Sequence, residues 1–204
     1  MKRKTKRLLI LFSLYLFCCT LTGVGLKTGL FTVLDNKGLD LLFLLRGKEI
    51  PRPDIIIAGI DARSLEEINE PFAFWNKYLA VVIDKLCAGG AKVVGLDILQ
   101  PRSYANPEFK AGETEIATVL SRWDNIILIA RIYPDLQIPS YAQTMQNIGV
   151  GNLTKDIDNS IRRQRLIYTL NENIHYSALA LKIVQKYLGT APEYKNNNLI
   201  FTVP

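Results

Sequence analysis

The chain has 204 residues, 49% of them hydrophobic and 22% charged, with 13 glycines and 9 prolines; this is one domain's worth of chain, too apolar for a disordered tail and too aperiodic for a collagen or a coiled coil. The formal charge of +6 points at first to an anionic partner, yet five of the 25 basic residues (Lys2, Arg3, Lys4, Lys6 and Arg7) stand within the first seven positions, which leaves 20 basic against 19 acidic. A nearly neutral remainder excludes a basic nucleic-acid-binding surface.

Behind the basic cluster, Leu8 to Leu26 carries no charge over 19 residues. As a helix it reaches roughly 28 Å, enough to cross a hydrocarbon core of about 30 Å. Ser13, Thr20 and Thr22 can bond back to helix carbonyls and so do not forbid insertion. The basic flank is expected to hold the amino end in the cytoplasm, which makes residues 1–27 a single-pass anchor and puts residues 28–204 outside a bacterial inner or cell membrane. A cleaved signal peptide ranks second, because its apolar region is usually about 7 to 15 residues. A lipoprotein signal ending at Cys18 or Cys19 ranks third, since the bulky Phe17 precedes them. Cys87 is then the one cysteine outside, so no disulfide or cysteine metal site can form within the exported part.

Residues 28–49 are expected to form a helical stalk, from Leu30, Phe31 and Leu34 through Leu41–Leu45 to Arg46-Gly47; Pro51 and Pro53 stop it. In the body, residues 50–204, Asp54 to Ile60 is a continuous apolar run and predicts a strand covered on both faces. Leu79, Val82, Ile83 and Leu86 give a helix over Asn76–Ala88, closed by Gly89-Gly90. Lys92–Ile98 predicts a second strand, Ile116 to Trp123 a helical face, and Asn125–Ala130 a third strand. That alternation predicts an α/β fold with a mostly parallel sheet and helices on both faces, preceded by the membrane helix and the stalk. Further on, Ile148–Leu153 and Arg163–Leu170 are expected strands around a turn at Asp156–Ser160. Tyr176 to Leu188 is an expected amphipathic helix with His175 at its start, and Leu199–Val203 an expected last strand.

Ligands of open parallel sheets gather beyond the carboxyl ends of the strands. Asp61, Asp97 and Arg131 are expected at that rim, where two carboxylates and a guanidinium could hold a cationic or zwitterionic small molecule or a divalent ion. The bland alternative is that Asp61 caps the helix beginning near Ser64 and Asp97 bonds to backbone amides. The aromatic loop of Phe72, Phe74 and Trp75 either lines a pocket or lids the core, and the lid ranks first. His175, the only histidine, is a poor general base at a helix start. Phosphate loop, nucleophile elbow and metal-ligand histidine pair are all missing from the sequence. Asp156-Ile157-Asp158 is similar to the acidic triplet of metal-dependent sugar transferases but is better explained as a turn. Arg162-Arg163-Gln164-Arg165, the one local candidate for nucleic acid, would be split between two strand faces.

Taken in order, Asp40-Leu41-Leu42-Phe43-Leu44-Leu45-Arg46-Gly47, Asp54-Ile55-Ile56-Ile57-Ala58-Gly59-Ile60-Asp61 with Ser64-Leu65, Gly90-Ala91-Lys92-Val93-Val94-Gly95-Leu96-Asp97-Ile98, Asp156-Ile157-Asp158 leading to Arg162, and Ser177-Ala178-Leu179-Ala180-Leu181 resemble the type-two CHASE domain over about residues 40 to 189. This is an extracellular sensory module associated with cyclases and histidine kinases. Two departures stand out. Pro71-Phe72-Ala73-Phe74-Trp75-Asn76 replaces a Trp-Pro-Trp-Pro-Arg-like loop, and Asp158-Asn159 stands for Asp-Gly, a change that still tolerates a left-handed backbone.

The resemblance implies a non-catalytic sensor that binds an unknown small ligand; the sheet-rim reading, with the neighbouring Ser64 and Trp75, makes Asp61, Ser64, Trp75, Asp97 and Arg131 the candidate contacts, and no cofactor and no metal are expected. Its expected partners are the membrane, a signalling partner or a cytoplasmic cyclase or kinase effector beyond this chain, and a second copy in a homodimer. The alternatives are an envelope assembly protein using the stalk and aromatic loop, and, third, an exported metal-dependent enzyme using the same carboxylates.

Overall fold

The computed structural model describes residues 3–100, 103–142, 146–171, 174–195 and 198–200. The chain divides into two compact units, Met1–Ala58 and Gly59–Pro204.

The first unit is helical. α1 (Arg3–Lys27) contains the apolar run, and the expected stalk is α2 (Leu30–Arg46). Between them the chain turns at Gly29, whose φ of 71° is left-handed and suits glycine. The hydroxyls of Thr20 and Thr22 donate to the carbonyls of Phe17 and Cys18, both at 2.8 Å, so these side chains are satisfied within the helix. Gly25 lets the two helices meet: a Cβ there would lie 2.7 Å from the Phe31 ring.

The second unit is the α/β body. It begins with α3 (Ala62–Ile68) and α4 (Asn76–Ala88), continues through β1 (Val94–Leu96), α5 (Pro107–Arg122), β2 (Ile126–Ile132) and β3 (Leu136–Gln137), and then β4 (Ile148–Val150), β5 (Ile167–Asn171) and β6 (Ile174–Ser177). α6 (Leu179–Leu188), β7 (Glu193–Lys195) and β8 (Asn198–Ile200) complete the described elements. The central sheet is mixed: β2 pairs in parallel with β1 and with β4, and antiparallel with β3. β5–β6 and β7–β8 are antiparallel hairpins. The expected mostly parallel sheet is thus met only at its centre.

Alternation along the strands sorts the core. Val94, Leu96, Ile126 and Leu128 pack with Leu79, Ile83, Ile116 and Leu120 of α4 and α5. Between those positions Gly95 and Gly149 lie against α6: a Cβ on Gly95 would meet the Ile183 side chain at 2.5 Å, and one on Gly149 the Leu179 Cα at 2.5 Å. Glycine at these points admits the helix to the sheet.

Three expectations need correction. Asp54–Ile60 forms no strand; Ile55, Ile56 and Ile57 are 68%, 86% and 90% exposed. A doubly covered strand needs ladder partners on its edges, and this segment, which follows two prolines and straddles the division between the units, has none among the described residues. The amphipathic helix starts at Leu179, not Tyr176, because Tyr176 and His175 are committed to a ladder with Tyr168 and Thr169. His175 accordingly sits in β6, its Nδ1 3.0 Å from the Thr169 hydroxyl. The expected strand at Leu199–Val203 begins one residue earlier, at Asn198, and its last three residues lie outside the described residues.

Candidate functional site

The carboxyl ends of β1, β2 and β4 form one rim. The Asn152 side chain organises it just past β4: its Oδ1 accepts from the Ile132 backbone N–H and its Nδ2 donates to the Ile132 carbonyl, both at 2.8 Å. The Tyr168 hydroxyl donates to the Asn152 carbonyl at 2.5 Å. In this way one amide side chain extends the β2 ladder where the strand itself stops.

Asp97 follows β1 directly and Arg131 lies near the end of β2. Continuing the register of Leu96 with Leu128 sets Asp97 opposite Ile129, and Arg131 two residues on projects to the same face, that of α6. Both side chains are exposed, and the Arg131 guanidinium stands 5.9 Å from the centre of the Tyr133 ring. Neither forms a hydrogen bond or ion pair among the described residues.

Asp61 and Ser64 come together in a different role. The Ser64 backbone N–H and hydroxyl both donate to Asp61 Oδ1 at 2.9 Å, and the Asp61 backbone N–H donates to Ser64 Oγ at 3.4 Å. This reciprocal box caps α3. The donors from Ser64 hold the Asp61 carboxyl below the usual carboxylate range. Trp75 lies in the core at 2% exposure. Its indole N–H donates to the Glu70 carbonyl at 2.9 Å, and its ring packs with Phe72 and Tyr78 at 5.3 and 6.2 Å between centroids. The aromatic loop therefore lids the core through Trp75 while Phe72 stays partly exposed.

Three polar clusters do not follow from the linear pattern. Lys77 binds Glu70 at 3.0 Å and Glu108 at 3.2 Å, and Tyr78 donates to Glu70 at 3.0 Å. The Lys77 contact lowers the Glu70 pKa, and its two carboxylates raise that of Lys77. On α5, Glu113 accepts from Ser103 and Lys110, both at 2.8 Å, and from the Ser140 hydroxyl. Burial alone would raise the Glu113 pKa, and these donors reverse it to a net lowering. Finally Arg162, with its side chain 8% exposed, binds Asp156 at 2.8 Å and Asp158 at 2.7 Å. Asn159 supplies the left-handed corner of this turn at φ 61°. The Asp156–Ser160 turn and the left-handed Asn159 were readable from residue types; the pairing partner of a buried charge was not, because burial is a tertiary property. No group of three or more His, Cys, Asp or Glu able to hold a metal ion occurs among the described residues.

The sequence matches the CHASE2 domain over residues 13–202, and the chain belongs to that family of extracellular sensory domains. No curated protein and no solved structure matches it.

Proposed function

We propose that the chain is a membrane-anchored, extracytoplasmic sensor without catalysis. Membership of a family of extracellular sensory domains carries this reading. The stretch Lys6–Lys27, 22 residues with a mean hydropathy of 2.1, is long and apolar enough to span a membrane. With its basic flank inside, residues 1–27 anchor the chain in a bacterial inner or cell membrane and residues 28–204 lie outside. The ligand is a small zwitterion. Asp97 takes its cationic group and Arg131 its carboxylate, while the capped Asp61–Ser64 pair and the buried Trp75 support neighbouring segments. Binding biases the domain toward one state, which a signalling partner, a second copy or a cytoplasmic cyclase or kinase effector reads.

The test is thermal unfolding of the full chain in lipid nanodiscs against a panel of amino acids and other zwitterions. A ligand selective for the folded domain raises the midpoint with concentration. The rise is expected to vanish in Asp97→Ala and Arg131→Ala. An equal rise in both variants would remove the rim from the reading.

A further inference from the structure

α6 carries a polar stripe beside the face that packs on the sheet. Lys182, Gln185, Lys186 and Gly189 recur at intervals of three and four residues and so share one side of the helix, while Leu179 and Ile183 lie against Gly149 and Gly95 of the sheet. At Gly189 the backbone turns left-handed, with φ 70°, and this brings Thr190 and Ala191 round to the end of the stripe. Together with Asn147 these residues line a pocket of about 440 Å³, within the range of roughly 300–1,000 Å³ usual for small-molecule sites.

One wall of this pocket is fixed by the sheet. Asn147 directly precedes β4; its backbone carbonyl accepts from the Leu128 N–H at 2.9 Å and its Nδ2 donates to the Asp124 carbonyl at 2.8 Å. The other lining groups have bonding capacity to spare. Lys182 is half-buried and makes no hydrogen bond or ion pair among the described residues. The Thr190 Oγ1 is buried and has no partner. Lys186 binds Asp124 at 3.0 Å, but that carboxylate is 92% exposed, so water screens the pair and a stronger anion can replace it. None of the residues lining the pocket is acidic.

We infer that this pocket binds a small hydroxylated anion. Lys182 and Lys186 stand one helical turn apart, where like charges repel, and an oxyanion shared between them turns that repulsion into attraction. The Thr190 hydroxyl and the Asn147 Oδ1 accept hydrogen bonds, and the Gln185 amide donates them, so the rest of the ligand must carry hydroxyl groups rather than bare hydrocarbon. The pocket belongs to the amino ends of the parallel strands: Asn147 stands just before β4 and Asp124 just before β2. Asp97 and Arg131 lie at the opposite, carboxyl ends. The site is therefore separate from the proposed zwitterion rim and stands or falls without it.

The experiment is calorimetric titration of the full chain, in phosphatidylcholine nanodiscs, with malate and with glycerol phosphate, which present a carboxylate and a phosphate beside hydroxyl groups. Glycerol serves as the probe without charge and sulfate as the probe without carbon-bound hydroxyls. Saturable binding of at least one of the two hydroxylated anions is expected, and which one binds identifies the oxyanion. Its affinity is expected to fall at least tenfold in Lys182→Gln and at least threefold in Thr190→Val, and to stay unchanged in Arg131→Ala. Both substituted positions lie at the surface end of α6, outside the core, so the variants should fold. Full affinity in Lys182→Gln, or loss of binding in Arg131→Ala, would overturn the site. So would saturable binding of neither anion, or binding of glycerol or sulfate as tight as that of the better probe.

Discussion

Arg162 holds the Asp156–Ser160 turn together. Its buried guanidinium is balanced by Asp156 and Asp158 on a single tight turn, so removing it strips Asp158 of its ion pair and leaves Asp156 only the longer contact with the exposed Arg163 at 3.4 Å. Arg162→Ala is expected to cost about 3 kcal/mol in urea unfolding of the full chain. The pair also sets an acid limit. Its hydrogen bond to Arg162 holds the Asp158 carboxyl far below its ordinary value. Its stabilising effect is therefore complete above about pH 4, the unfolded carboxylate value, and is lost as pH falls toward the depressed folded value. Asp158→Asn is expected to flatten that part of the stability curve between pH 4 and pH 2, and an unchanged curve would place the acid limit elsewhere. A second residue-scale test is Gly149→Ala. The added Cβ would meet the backbone of Leu179 at 2.5 Å, which no rotamer change relieves. A loss of about 1–3 kcal/mol is expected, whereas a stable variant would show that α6 can retreat from the sheet.

At the scale of elements, legibility followed the range of the forces involved. The helix Asn76–Ala88 matches the expected bounds, because an amphipathic period and a closing Gly89-Gly90 are local signals. β2 covers most of the expected Asn125–Ala130 and runs on to Ile132, whereas α5 begins at Pro107, nine residues before the expected face from Ile116, where the Asn106 side chain caps it, accepting from the Glu108 backbone N–H at 2.8 Å. The run Asp54–Ile60 shows the opposite case. Four isoleucines in seven residues carry the composition of a buried strand, but a strand exists only through its neighbours, and composition cannot specify them. The site was legible in the same uneven way. The Asp61–Ser64 cap lies within four residues and was foreseen as an alternative, whereas Asn147 and Thr190, ordinary polar residues in sequence, line one pocket only once folding brings them together. The difference between run and core is measurable. Ile57→Ser is expected to change stability by less than about 0.5 kcal/mol, and Ile83→Ala, at 1% exposure in the core, to cost about 3 kcal/mol. A comparable loss at Ile57 would mean that the run is packed as a strand after all.

For the whole molecule, the uneven charge along the chain and the division into two units make one joint prediction. In the proposed orientation the basic residues at the start keep the amino end on the cytoplasmic side, and the body beyond them has its own core. Between α2 and α3, residues 47–61 form neither helix nor strand and are exposed throughout, the kind of segment where proteases cut first. Trypsin applied to spheroplasts expressing the chain should therefore cut after Arg46 and Lys48, while Arg52 is protected by the following Pro53. The cut should release a soluble body whose unfolding midpoint is close to that of the body in the intact chain, and leave α1 and α2 with the membrane fraction. Protection of the whole chain until the cells are lysed would reverse the orientation and with it the extracytoplasmic reading. A body cut free but still sedimenting with the membrane would instead mean that it is held there by something besides the anchor, and the exposed apolar run Ile55–Ile57, carried on the released piece, would then be the first segment to mutate.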